Sequence, residues 1–144
     1  MRTYRKSIAI LLIAFSLIAF AGEEGENQVS WDTLSKVKMV EEDSRYIPDF
    51  SKEVQDLDGK TIELKGFMMP LDNAEVQKEF VLSANPVGSC FFCTPGGPEA
   101  MVEVHAPAGI KFSYDTIVMS GVLELVEDDP MGMFYRLKEA KLVN

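Results

Sequence analysis

Histidine occurs once in this chain of 144 residues, at His105, and cysteine twice, at Cys90 and Cys93. A Ser-His-Asp relay would have to pass through that one imidazole, so nucleophilic hydrolysis has little to draw on. His105 reads first as a solvated strand residue, because histidine is commonly exposed or intermediate in burial. Asp128 and Asp129 are paired carboxylates, but they sit in a turn, where solvation explains them. No Gly-rich phosphate loop is present: Gly96-Gly97 lacks both the spacing and a following lysine. Neither an internal repeat nor a low-complexity stretch is visible. Positive charge is scarce as well, with 14 basic residues against 23 acidic ones and a net charge of -9. Such a chain repels phosphate backbones and anionic lipid, which argues against nucleic acid and favours cationic partners or metal ions.

Three of the basic residues, Arg2, Arg5 and Lys6, precede an apolar run from Ile8 to Phe20. The run is short for a membrane span. Ala19-Phe20-Ala21 then places small residues three and one before a cut ahead of Gly22, the pattern of a secretory signal peptide over residues 1–21. No cysteine lies at that cut, so lipid attachment there is excluded. The expected location is periplasmic or secreted, with no stable membrane span after cleavage. The remaining chain carries 11 basic and 23 acidic residues, a net of -12. It is long enough for one compact domain and too short for two.

Residues 22–29 are polar and Glu-rich and are expected to form a flexible acidic linker. Ser30 is a suitable N-cap with Asp32 in the first turn, and Trp31, Leu34 and Val37 or Lys38 recur at helical spacing. Glu41 to Arg45 are charged, and Pro48 breaks any continuation. Phe50, Val54 and Leu57 suggest a further helical turn or two behind Ser51, and Asp58-Gly59 marks a turn. From Thr61 the period becomes that of strands. Strands are expected at Thr61 to Met69, Phe80 to Ala84, Met101 to Ala106, Thr116 to Val126 and Met133 to Val143. Gly66 and Gly121 interrupt two of the long ones, as strands serving two sheets of a small barrel require. The expected fold is mainly β: a five-stranded OB-like barrel over residues 30–144 with a short N-terminal helical segment. A small open sandwich is the alternative.

Cys90 and Cys93 lie in Pro86-Val-Gly-Ser-Cys-Phe-Phe-Cys-Thr-Pro-Gly-Gly-Pro98. Two thiols at this spacing can form a disulfide, hold a metal or exchange electrons. A thioredoxin-type pair needs a helix N-terminus to lower the first thiol's pKa. Thr94-Pro95-Gly96-Gly97-Pro98 cannot continue as a helix, and no Lys, Arg or His lies within ten residues of the pair. A disulfide formed on export would close a very short loop, worth only about 2 kcal/mol in the chain-entropy model. A Gly/Pro-rich Cys-x-x-Cys turn is also one half of a zinc site, with His105 and Glu99 or Glu103 as further ligands, or with a site shared across a dimer. Met68, Met69, Met101, Met131 and Met133 offer thioethers to copper(I), although methionine at strand positions ordinarily fills a core. Phe91 and Phe92 between the cysteines either plug the barrel end or form a partner-contact patch.

Several segments occur in a telling order. These are Trp31-Asp-Thr-Leu34, Leu57-Asp-Gly-Lys-Thr-Ile-Glu-Leu-Lys-Gly-Phe-Met-Met-Pro-Leu71, Phe80-Val-Leu82, Cys90-Phe-Phe-Cys93 with Pro95 and Pro98, Gly121-Val-Leu123 and Tyr135-Arg-Leu137. The set resembles a family of exported bacterial proteins of unknown function with a Gly-Phe-Met-x-Pro-Leu strand and a Cys-x-x-Cys loop. Many members carry a histidine between the cysteines. Here Phe91 or Phe92 stands there and Gly96-Gly97 interrupts the prolines, which counts against a metal role resting on that histidine. Some members are encoded near transport permeases and zinc-uptake components, so the resemblance implies an accessory role in envelope transport. The expected function is a non-enzymatic binding or accessory module with a protein partner in the envelope. Its contact site is the Cys90–Cys93 loop, with Phe91 and Phe92 as partner contacts or with zinc held by Cys90, Cys93 and His105. An interaction domain with a purely structural disulfide is the alternative, and a thiol-disulfide enzyme comes last.

Overall fold

Apolar residues that alternate with polar ones along a strand put one face inward, and after Asp58-Gly59 this chain turns to that pattern, most plainly at Ile62 and Leu64 and at Val102, Val104 and Ala106. The computed structural model describes residues 27–86 and 96–143. In chain order its elements are α1 (Trp31–Leu34), β1 (Val37–Glu42), β2 (Arg45–Phe50), α2 (Lys52–Gln55), β3 (Thr61–Pro70), β4 (Val76–Ser83), β5 (Met101–Lys111), β6 (Thr116–Leu125) and β7 (Tyr135–Leu142). Strands β3-β4-β5-β7-β6 close into a barrel, and β6 pairs back onto β3. All pairs are antiparallel except β5 with β7. This is the expected OB-like barrel. Its interior is filled by Ile62, Leu64, Met68, Phe80, Leu82, Val102, Val104, Met119, Leu123 and Leu137, all nearly inaccessible.

Closure of so small a barrel is set by two close approaches. β3 pairs with β6 from Thr61 to Phe67 and with β4 from Phe67 to Pro70, so it bends between two neighbours. At the bend stands Gly66, where a Cβ would lie 2.6 Å from the Ser83 carbonyl oxygen. Gly121 plays the same part between β6 and β7, where a Cβ would lie 2.8 Å from the Lys138 carbonyl oxygen, beside a shift in register. Hydrogen, and nothing larger, fits at either place.

One end of the barrel is stoppered by the two short helices. Ser30 and Ser51 cap them by accepting from the Thr33 and Val54 amides at 3.2 and 3.4 Å. Leu34 and Val54 are fully buried in the core. The Tyr135 hydroxyl donates to the Leu34 carbonyl, and the Trp31 indole donates to the Lys65 carbonyl at 2.7 Å, so α1 is tied to the barrel at two points. Burial pushes the Tyr135 phenol pKa upward, with the Glu99 carboxylate adding to it, which keeps the hydroxyl a donor.

The helical reading of Trp31 to Lys38 is corrected. The helix ends after one turn at Ser35, and Val37 opens a β-hairpin that the sequence reading had not assigned. Asp43 and Ser44 both have positive φ, 49° and 64°, which makes the two-residue turn type I′. Opposite charges then face one another at Lys38–Asp49 and Glu42–Arg45. Counting out from the turn, Met39–Pro48 is a non-hydrogen-bonded pair, so the missing proline N–H costs the ladder nothing. β4 and β5 also run longer than expected, to Val76 and Lys111, across a register shift between Gln77 and Glu79.

Gly66→Ala is expected to destabilise the fold by about 1–3 kcal/mol, the usual cost of overpacking, because the opposing atom is backbone. Urea unfolding measures it, and a change below a few tenths of a kcal/mol would contradict the close approach.

Candidate functional site: the loop end of the barrel

Along β7 the side chains alternate, Tyr135 inward, Arg136 outward, Leu137 inward. Arg136 thereby faces Glu103 on β5 and Glu124 on β6, its register partners on either side. Its Nε donates to Glu103 at 2.7 Å, one Nη to Glu124 at 3.1 Å and the other to Asp129 at 3.3 Å. Lys138 donates to the second oxygen of Glu124 at 2.8 Å. Burial works to raise the Glu103 pKa, but His105 and Arg136 outweigh it and hold the carboxyl below its ordinary value. The Lys138 hydrogen bond is the main influence lowering Glu124 against its own burial, with Arg136 adding.

Asp129 carries this network into the β6–β7 loop. Its side chain is only 8% exposed, and its other oxygen accepts from the Met131 and Met133 amides at 2.8 and 3.3 Å. Gly132 has φ of 74° and donates to the Asp129 carbonyl at 2.9 Å. One guanidinium therefore fixes two strands and the loop that joins β6 to β7.

His105 lies on the same outer face, its Nε2 3.0 Å from the Glu103 oxygen that Arg136 leaves free. The contact lacks the alignment of a hydrogen bond. Four residues along β5 separate His105 from Met101, about 13 Å at the usual strand rise. Cys90, Cys93, Phe91 and Phe92, the other residues singled out in the sequence, lie outside the described residues, as do the leader and residues 22–26. Glu99 turns back to accept from the Gly97 amide at 3.1 Å. Among the described residues no group of three or more His, Cys, Asp or Glu side chains is arranged to hold a metal ion. Glu103 is hydrogen-bonded to Arg136, with His105 beside its other oxygen.

The segment between β4 and β5 leaves and re-enters the barrel through a narrow neck. Ser83 pairs with Met101, and the Ala84 amide donates to the Ala100 carbonyl at 3.0 Å. Pro98–Ala100 forms one 3-10 turn that runs directly into β5. Of the methionines, Met68 belongs to the barrel core. Met69 and Met133 pack with Val81 in a second cluster outside it, with Met101 against them. Met131 is exposed.

Beside this neck lies a groove of about 350 Å³ between the β1–β2 hairpin, the Pro98–Glu99 turn and the β6–β7 loop. Met39, Tyr46, Met133 and Phe134 contribute its apolar lining, and Glu99, Glu127 and Asp128 its acidic rim. The sequence reading missed it because one wall is the unassigned hairpin. The available signal was the alternation of Val37, Met39 and Glu41 with Lys38, Val40 and Glu42 before a turn at Asp43-Ser44.

Carboxylates held below their ordinary pKa stabilise the fold fully above the unfolded value, about 4.3 for glutamate, and lose that contribution as pH falls through the depressed folded value. Glu103→Gln is therefore expected to flatten the acid limb of a stability-versus-pH curve. Arg136→Met is expected to lower stability at neutral pH by about 1–3 kcal/mol, since it leaves partly buried carboxylates unpaired. Thermal unfolding between the acid limb and neutrality reads both, and an unchanged acid limb in Glu103→Gln would contradict the network.

None of the curated proteins matches the sequence. Among solved structures, a DUF3299 family protein from Pseudomonas aeruginosa PAO1 is similar, with a TM-score of 0.52 at 21% identity over 67% of this chain and 68% of that one. At that identity the likeness concerns the fold. The family model described as protein of unknown function (DUF3299) matches residues 18–143. With most of its length covered by that match, the chain belongs to this family of unknown function.

Proposed function

We propose that the chain is an exported, non-enzymatic binding module, an accessory component of an envelope transport system, that works through the loop end of its barrel. The observation carrying this reading is the convergence there of three segments: the neck of the 84–100 connection, the β6–β7 loop and the β1–β2 hairpin. OB barrels engage their ligands on the second and third strands and on the loop between the fourth and fifth. In this chain those are β4, β5 and the loop braced by Arg136, a correspondence of fold alone. The Cys90–Cys93 connection is the contact loop in this reading, with Phe91 and Phe92 as its apolar contacts. Its return path supports binding over thiol catalysis, because the stretch entering β5 is a single 3-10 turn headed by Pro98 and supplies no helix to activate a thiol.

Zinc content, free-thiol counting and disulfide-reductase assay on the purified protein test this together. We expect no turnover of a disulfide substrate, and thiols that titrate near the free-cysteine value of about 8.5 after reduction. Zinc near one equivalent per chain or per dimer, lost in Cys90→Ser, identifies the metal form of the contact loop. Neither zinc nor free thiol identifies its disulfide-closed form. Turnover with a depressed thiol pKa would overturn the reading.

A further inference from the structure

The β1–β2 hairpin has one face that is apolar beyond the reach of the barrel. Register places Val37, Met39 and Glu41 on the same side as Phe50, Pro48 and Tyr46. At the base of the hairpin this face is covered: Phe50 is buried and packs edge-on against Phe134 at 6.3 Å, and Val37 packs on the core. Farther out it is not. Met39 is 50% exposed and Tyr46 69% exposed, and both line the groove. Exposed methionine and tyrosine on a projecting hairpin leave the chain with adaptable apolar surface and an aromatic face open to a cation.

Charge selects the occupant. Glu99, Glu127 and Asp128 rim the groove, and Glu41, Glu42 and Asp43 lie along the hairpin above it. Asp129 is committed to Arg136 and does not count. Lys38 lines the groove as well, and Arg45 reaches Asp128 at 3.5 Å through side chains that are 69% and 88% exposed. An ion pair so exposed is worth little and yields readily to a competing cation. Nucleic acid and anionic lipid are repelled by this surface, and a second copy of a chain with net charge -9 is disfavoured on the same ground.

Resting on the binding reading above, we infer that this groove receives a basic segment of a partner protein, with an aromatic or aliphatic side chain seated on Met39 and Phe134. In that arrangement a lysine or arginine of the segment lies over the Tyr46 ring, and its neighbours pair with Glu127 and Asp128. Asp128 exchanges Arg45 for the incoming cation.

The test is amide NMR mapping on the purified protein with the peptide acetyl-Lys-Arg-Trp-Lys-Arg-amide, against a peptide of equal length with glutamates in place of its cations. The expected result is a set of shifts centred on Met39, Tyr46, Glu127 and Met133. Affinity should fall about threefold or more in the pair Glu127→Gln and Asp128→Asn, the scale of two exposed ion pairs. Tyr46→Ala should cost a factor of about 2–5. All these changes are at exposed positions, and Asp115→Asn in the β5–β6 connection, at the end of β6 opposite the β6–β7 loop, should leave affinity unchanged. Shifts scattered over the acidic surface, equal loss in Asp115→Asn, or no binding at millimolar peptide would overturn the inference. Shifts confined to another face would overturn the groove while leaving the binding-module reading standing, since zinc, thiols and turnover judge that reading separately.

Discussion

Arg136 holds the loop end of this protein in one piece. Its three nitrogens reach carboxylates from β5, from β6 and from the loop between β6 and β7. An isolated surface ion pair contributes little to stability. This one is different in kind, because the guanidinium is only 26% exposed and each of its carboxylates makes a further contact, Glu103 with His105, Glu124 with Lys138 and Asp129 with two loop amides. Removing the cation would leave three anions crowded at low exposure. The loop that Asp129 cinches then forms a wall of the groove and delivers Met133 to the outer apolar cluster.

The barrel itself is a stiff frame for that loop. Gly66 and Gly121 admit neighbouring backbone where no side chain fits, so the strands close tightly around a core of aliphatic residues and Phe80. The Tyr135–Leu34 hydrogen bond seals the helical end. The helices stopper the same end at which β6 passes into β7, since α1 packs against the Pro98–Ala100 turn and Tyr135 opens β7, so shape and charge vary around that stopper. There the hairpin, the neck of the 84–100 connection and the β6–β7 loop stand side by side.

Much of this was legible in the sequence, for physical reasons that differ from residue to residue. Alternation was plainest where Ile62 and Leu64 interleave with Glu63 and Lys65, and where Val102, Val104 and Ala106 face inward while Met101, Glu103 and His105 face out. Gly66 was recognisable as a bend because nothing else explains glycine amid Ile62, Leu64, Phe67 and Met68. The hairpin was not legible, since charge at Glu41 to Arg45 and a proline at Pro48 imitate a loop, and the register that makes both harmless exists only once the turn is formed. Nor was the role of Arg136. Nothing within a few residues of it signals three carboxylates drawn from positions 103, 124 and 129, which the parallel pairing with β5, the antiparallel pairing with β6 and the fold of the β6–β7 loop bring together. His105, chosen for its rarity, lies at the margin of that network rather than at its centre.

Amide hydrogen exchange in Arg136→Met tests most directly whether one guanidinium organises the loop end. Protection of the Met131, Gly132 and Met133 amides should collapse, while amides in the core strands, such as those of Leu64, Leu123 and Val104, keep wild-type protection relative to global stability. Loop amides as protected as in the wild type, or a uniform loss across barrel and loop alike, would contradict that central place for Arg136.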